Sequence, residues 1–280
     1  ARGKSWSADL TPNQIIAVDR EWLLKARDAQ LPPSGDWRTW LILGGRGSGK
    51  TRAGAEWVSG MALGLAPFSS QHCGHIALVG ETFADAREVM VDGPSGILSV
   101  SRLSRPRYEA TRRRLLWENG AVASLYTSED PDGLRGPQFD AAWCDELAKW
   151  KNPQATWDML QFGLRLGRFP RQVVTTTPRA VPLLKSLMTD NSVAMTHMRT
   201  SENAEHLASG FIETINQRYA GTRLGRQELD GELIEERAGA LWSRERIEQC
   251  FEQAAPELIR ILVAIDPPAS SGKSSDACGI

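Results

Sequence analysis

Cysteine is scarce in this chain: Cys73, Cys144, Cys250 and Cys278 are the only four in 280 residues. None falls in CxxC spacing, which excludes a thiolate zinc motif and a disulfide framework, and buried thiols in a reducing cytoplasm are expected. Long apolar runs are missing too. Nothing approaches the roughly 18 residues of a membrane-spanning helix, the mean hydropathy is −0.34, and no membrane partner is expected. The opening ARGKSW has neither an initiator Met nor an apolar stretch, so a processed start without a signal peptide is expected. There are no repeats and no low-complexity tracts. Net charge is nearly absent, −1 from 33 basic and 34 acidic residues, which excludes a uniformly basic nucleic-acid coat. Lysine is also sparse. Outside Lys4, Lys25, Lys50, Lys149, Lys151, Lys185 and Lys273 every basic residue is arginine, the better bidentate partner for phosphate, although GC-rich coding gives the same skew.

What is present is an ordinary globular balance, 41% hydrophobic and 24% charged, in a length suited to one large α/β domain with something appended. Thr11-Pro12-Asn13 opens a helical stretch through about Arg27, and Leu31 to Asp36 is a loop by composition. Trp40 to Leu43 is a buried-strand run leading into GGRGSGKT (44–51), with a helical pattern through about Leu65. His75 to Gly80 reads as a strand and Phe83 to Met90 as a helix. Arg114 to Tyr126 reads as a hairpin whose Asn119-Gly120 suits a two-residue type I′ turn. Phe139 to Cys144 and Arg171 to Thr177 are further strands, Pro182 to Met188 is helical, and Val193 to Met198 alternates. Residues 202–238 look helical and polar, and a new strand is expected over 258–265. Strands alternating with helices predict an α/β fold with a mainly parallel central sheet flanked by helices.

Gly44-x-x-x-x-Gly49-Lys50-Thr51 fits GxxxxGK[ST] between a strand and a helix. Glycines let backbone N–H groups turn inward around phosphate oxygens, and the helix N-terminus adds positive potential. The loop residues Gly44, Gly45, Arg46, Gly47, Ser48, Gly49, Lys50 and Thr51 are the candidate nucleotide-binding set. Lys50 is assigned to the β- and γ-phosphates of ATP, and the Thr51 hydroxyl to Mg²⁺. Asp145, ending an apolar strand, is the second candidate Mg²⁺ ligand. Glu146, expected on the other side of the strand end, is the candidate base for an attacking water; an Asp-Glu pair opening a solvated helix is the plain alternative. Thr175, Thr176 and Thr177 are placed beside the loop, as γ-phosphate sensors or simply as good strand residues. Arg46 and Arg135 are candidates to neutralise charge on the transferred phosphoryl group, or ordinary surface ion-pair partners. The arginines from Arg102 to Arg114 form either a grip on DNA phosphates or a solvated or protein-facing loop.

GGRGSGKTRAGAEWV (44–58), LRGPQFDAAWCDELAKW (134–150), VVTTTPR (173–179), GRQELDGE (225–232), GALW (239–242) and LVAIDPP (262–268) occur in that order. Together they resemble the large terminase subunit of tailed double-stranded DNA phages, prophages and gene transfer agents, over roughly residues 12–280. The resemblance implies a P-loop NTPase of the additional-strand catalytic-glutamate type followed by the start of an RNase H-like nuclease domain. The expected division is an ATPase core over 1–200, a helical lid over 201–240, and a linker with the first nuclease strand over 241–280. It implies Glu146 as catalytic base, Thr175 to Thr177 as the coupling motif, and Arg135 as an arginine offered to a neighbouring subunit. Gln14 looks like an adenine-contacting glutamine, with a helix-surface Gln as the alternative. Asp266 matches the first nuclease metal ligand, Asp276 more weakly, with Mg²⁺ or Mn²⁺ expected for a complete nuclease. Two-metal cleavage needs several carboxylates, so ATP hydrolysis without DNA cleavage is expected of this chain. Implied partners are double-stranded DNA, a portal on a procapsid, a small terminase subunit and sister copies in a ring, in the cytoplasm of a bacterial host and transiently docked on the procapsid. A helicase or DNA-repair ATPase would need a second RecA-like domain, whereas 258–265 begins a different strand. A nucleotide-gated assembly module has no need of Glu146.

Overall fold

The computed structural model describes residue 11 and residues 21–234. The chain divides into two compact units, Ala1–Glu235 and Glu236–Ile280, and the description below concerns the first. The expected strand at 258–265, the turn at 239–242, Gln14, Asp266 and Asp276 lie outside the described residues.

Eight strands form one sheet: β1 (Thr39–Gly44), β2 (His75–Gly80), β3 (Arg107–Glu109), β4 (Arg114–Leu116), β5 (Val122–Thr127), β6 (Ala141–Asp145), β7 (Arg171–Thr176) and β8 (Val193–Met198). Their order is β3-β4-β5-β2-β6-β7-β1-β8. The six from β5 to β8 are parallel, and the β3-β4-β5 edge is antiparallel. Strand β7 therefore lies between β1 and β6.

The four helices of eight residues or more that matter for the site are α1 (Lys50–Leu63), α2 (Pro153–Gly163), α3 (Pro182–Thr189) and α4 (Phe211–Tyr219). Pleating sends alternate side chains of the central strands to opposite faces. Trp40, Ile42, Ile76, Leu78, Trp143 and Val173 pack on one side with Ala53, Trp57 and Met61 of α1. Leu41, Leu43, Ala77, Val79, Cys144 and Val174 pack on the other with Leu160 of α2 and Leu184 of α3. Burial on both faces is why these strands read as continuous apolar runs. Helix α1 approaches the sheet closely because Gly54 lies against Trp143; a Cβ there would sit 2.5 Å from the indole Nε1.

The main elements expected from sequence are present, with four differences. The first helix was expected to run through Arg27, but its described part, Trp22–Lys25, ends at Ala26 in extended conformation. The β4-β5 hairpin exists, but Asn119 keeps a negative φ and only Gly120 is left-handed (φ 87). Gly120 N–H bonds to Trp117 O at 3.1 Å and Trp117 N–H to Ala121 O at 3.0 Å, so the loop is longer than a two-residue type I′ turn. Asn119 is instead committed by its side chain, donating to Ala62 O at 2.8 Å. Helix α2 and strand β3 were not anticipated; α2 starts with Pro153 at its first position, a usable signal.

The arginine-rich segment proves to be the sheet edge, with most of its charge matched at home. Arg102 pairs with Glu56 (2.5 Å) and Glu21 (3.3 Å), Arg107 and Arg114 both pair with Glu109 (2.7 Å each), and Arg113 lies 3.8 Å over the Phe83 ring. A free run of guanidinium groups for phosphates is not what this segment presents.

Candidate active site

Strand β1 ends at Gly44, and the chain turns through residues 45–49 into α1. Gly49 takes the left-handed conformation (φ 94) that lets the helix start immediately behind the loop. Gly44 and Gly45 cannot carry side chains for a packing reason. A Cβ on Gly45 would collide with Leu229 O, and one on Gly44 would lie 2.5 Å from Met198 O. Lys50 is buried beneath the loop, its Nζ donating to Gly44 O (3.0 Å), Gly45 O (2.8 Å) and Thr177 Oγ1 (3.3 Å). Burial lowers its pKa, opposed by the charges of Glu146, Asp145 and Glu228.

The acid pair stands two strands away, at the end of β6. Asp145 is buried and accepts from Thr175 Oγ1 at 2.6 Å, in the β6–β7 register that pairs these residues. Trp143 Nε1 donates to the same hydroxyl at 2.8 Å. Burial, reinforced by the charge of Glu146, pushes the Asp145 carboxyl up to about 7. Glu146 was expected to face away from Asp145 by strand alternation. It does not, because its backbone is left-handed (φ 48, ψ 46) and breaks the alternation. Its carboxylate returns to the end of β7, accepting from Thr177 N–H (3.2 Å) and Thr177 Oγ1 (3.4 Å).

The three threonines of β7 therefore differ. Thr175 serves Asp145, Thr176 accepts from Ala148 N–H at 3.1 Å, and Thr177 alone lines the cleft, between Lys50 and Glu146. That cleft, about 1400 Å³, is bounded by the loop, Thr51, Glu146, Thr177 and Arg179. Arg46 also lines it, and is engaged by Glu228 through Nε to Oε2 (2.6 Å) and backbone N–H to O (2.6 Å). Hydrogen bonding to Glu228 raises the Arg46 pKa. Ser48 is fully buried. Arg135 stands apart from the cleft, its side chain 72% exposed, with one contact to Asp132 at 3.4 Å.

Sequence reasoning missed several contributors. Glu228 lies inside the GRQELDGE segment but carried no assigned role. Arg27, Gln30, Thr200 and Asn203 touch the loop from outside the motif. No local pattern marks them, because only the fold brings them there.

The family described as terminase large subunit, T4likevirus-type, N-terminal, matches residues 41–249. No curated protein matches the chain. Among solved structures, the large terminase ATPase domain of Thermus phage P74-26 is similar with a TM-score of 0.56 at 14% identity, covering 75% of this chain and 94% of that one. A full-length large terminase from a thermophilic bacteriophage, in complex with ADP, is similar with a TM-score of 0.56 at 16% identity, covering 76% of this chain and 51% of that one. This chain thus spans about half the length of the ADP-bound relative. At these identities the likeness is one of fold, and the family rests on the sequence match, which takes in β1, the acid pair and β7: the chain belongs to the terminase large-subunit family.

Proposed function

We propose that this chain hydrolyses ATP as the motor part of a large terminase that drives double-stranded DNA into a procapsid. The observation that carries it is the single hydroxyl of Thr177, shared by Lys50 at 3.3 Å and Glu146 at 3.4 Å. A phosphate-binding cation and a carboxylate base are thereby held across one small gap, where a γ-phosphate and its attacking water belong. The position of β7 between β1 and β6 supports the additional-strand catalytic-glutamate type of P-loop NTPase. The thermophilic-bacteriophage large terminase solved with ADP has also been solved with ATP-γ-S, which supports the same ligand here.

In this reading Lys50 and the loop N–H groups bind the β- and γ-phosphates, and Glu146 takes a proton from the attacking water. Thr177 senses the γ-phosphate through the two groups that it touches. The residues fit Mg²⁺. Thr51 and Asp145 offer hard oxygen donors, and the raised Asp145 carboxyl marks a place short of positive charge. Bound there, Mg²⁺ would neutralise charge on the phosphates. Among the described residues no trio of His, Cys, Asp or Glu forms a metal cluster, in keeping with an ion held largely by substrate and water. Arg46 must leave Glu228 to reach a phosphate. Arg135, exposed and remote from its own cleft, suits donation to a sister subunit in a ring. The portal, the small subunit and the nuclease function begun by Asp266 follow from the family and belong to the same proposal, as does the division into core, lid and nuclease start. No described helix is long and apolar enough to cross a membrane.

The test is steady-state ATP hydrolysis, with and without DNA, for the wild type, Lys50→Ala and Glu146→Gln. Both substitutions are expected to abolish turnover, with Glu146→Gln retaining ATP binding. Unchanged turnover in Glu146→Gln would remove the base from the scheme.

A further inference from the structure

The phosphate loop does not hold its own shape. A trans peptide points its C=O and its N–H in opposite directions, so fixing the carbonyl of one residue aims the N–H of the next. Four successive carbonyls in the loop are each taken by a side chain from outside it. Thr200 Oγ1 donates to Arg46 O at 2.7 Å, and Asn203 Nδ2 to Gly47 O at 2.7 Å. Arg27 Nη2 donates to Ser48 O, and Gln30 Nε2 to Gly49 O at 3.3 Å. Gln30 is itself anchored, its Oε1 accepting from Arg27 N–H at 3.2 Å and Arg27 Nε at 3.3 Å, so these two act as a unit. The carbonyls of Gly44 and Gly45 are held by Lys50, which leaves no loop carbonyl from 44 to 49 without a donor.

The N–H groups turned the other way are those of Gly47, Ser48, Gly49 and Lys50. Among the described residues only Ser48 has a protein acceptor for its N–H, Gly45 O at a long 3.3 Å. We propose that Arg27, Gln30, Thr200 and Asn203 are positioning residues that pull the loop carbonyls outward and so preform a ring of N–H donors for a polyphosphate. The physical gain is twofold. Carbonyl oxygens that would repel phosphate are removed from the lining, and donors are aimed before the ligand arrives. Arg27 adds a cation behind the loop; its Nη1 is buried without a hydrogen-bond partner, 3.7 Å from Glu202. Two of the four residues precede β1 and two follow β8, so segments at the two ends of the ATPase fold jointly set the shape of the binding loop.

The inference rests on the nucleotide reading above, and its test separates the two. Inorganic tripolyphosphate is titrated calorimetrically into the full chain, for the wild type, Asn203→Ala, Thr200→Val and Thr200→Ser. Each lost donor is expected to weaken tripolyphosphate about tenfold. Thr200→Ser, which keeps the hydroxyl, is expected to stay within about twofold of wild type. In hydrolysis assays KM for ATP rises while kcat at saturation is retained, a split that a general loss of stability does not produce. Asn203 is only partly buried, so Asn203→Ala decides the matter if Thr200→Val fails to fold. If the wild type binds no tripolyphosphate, the nucleotide reading itself fails. If the wild type binds and a folded Asn203→Ala binds equally well, the positioning role is overturned and the nucleotide reading stands.

Discussion

Replacing Asp145 by asparagine tests how far the site is built against the stability of its own fold. The carboxyl is buried, its ordinary value is 3.8, and burial beside Glu146 raises it to about 7. A group with a raised folded pKa contributes its full stability below the unfolded value and loses it as pH rises to the folded one. For Asp145 the loss falls between about pH 4 and pH 7. At pH 8 it amounts to about 4 kcal/mol. An asparagine at this position would be neutral at every pH and could still accept from Thr175 Oγ1, so the exchange removes charge and little else. Urea unfolding in EDTA is expected to show Asp145→Asn more stable than wild type at pH 8 by about 2–4 kcal/mol, with the difference fading at pH 4. Adding Mg²⁺ with ATP at pH 8 should stabilise the wild type and leave the variant unmoved. Equal stabilities at pH 8, or a variant less stable than wild type, would show that the carboxylate is compensated in the fold and would refute the argument.

Glu56 is 1% exposed and pairs with Arg52 and Arg102, at 2.8 and 2.5 Å. Glu56→Ala, which strands two guanidinium groups, is expected to lower unfolding free energy by about 3 kcal/mol, read by urea denaturation. Gly54→Ala forces a methyl into the Trp143 ring and should destabilise by about 1–3 kcal/mol; a neutral result would mean that the α1–sheet contact relaxes freely. Arg135→Ala should leave the unfolding free energy within about 0.5 kcal/mol of wild type, since the side chain is exposed with one weak contact. Its DNA-dependent ATPase should nevertheless fall, and recovery on mixing with a Lys50→Ala chain would confirm that arginine and loop act from different subunits.

Much of the fold was legible because glycine, proline and strand burial act locally. The loop 44–51 announces itself through residues that only a tight turn into a helix requires, and β1, β2, β6 and β7 through runs buried on both faces. Asn119-Gly120 misled because Asn was credited with backbone freedom that its side chain gives up by bonding to Ala62. Strand β3 hid in an arginine cluster because its three residues pair by backbone while their charges are settled on Glu109. In the site, the identities of Lys50, Asp145 and Glu146 could be read, but not the facing of the two acids. Alternation predicts opposite sides, and one left-handed residue cancels it. The partners of Arg46 and of the loop carbonyls lie far away in sequence and follow from the sheet order alone.

The twist at Glu146 has an evolutionary corollary. Among the described residues only it and Arg113 adopt a positive φ without being glycine. Such a posture strains an L-residue by about 1 kcal/mol, and glycine would relieve it. Glu146→Gly is therefore the substitution that folding alone would welcome, and it deletes the carboxylate. If drift were governed by thermal robustness alone, this corner would move toward glycine. An acid that persists there across diverging lineages would be the mark of selection on turnover.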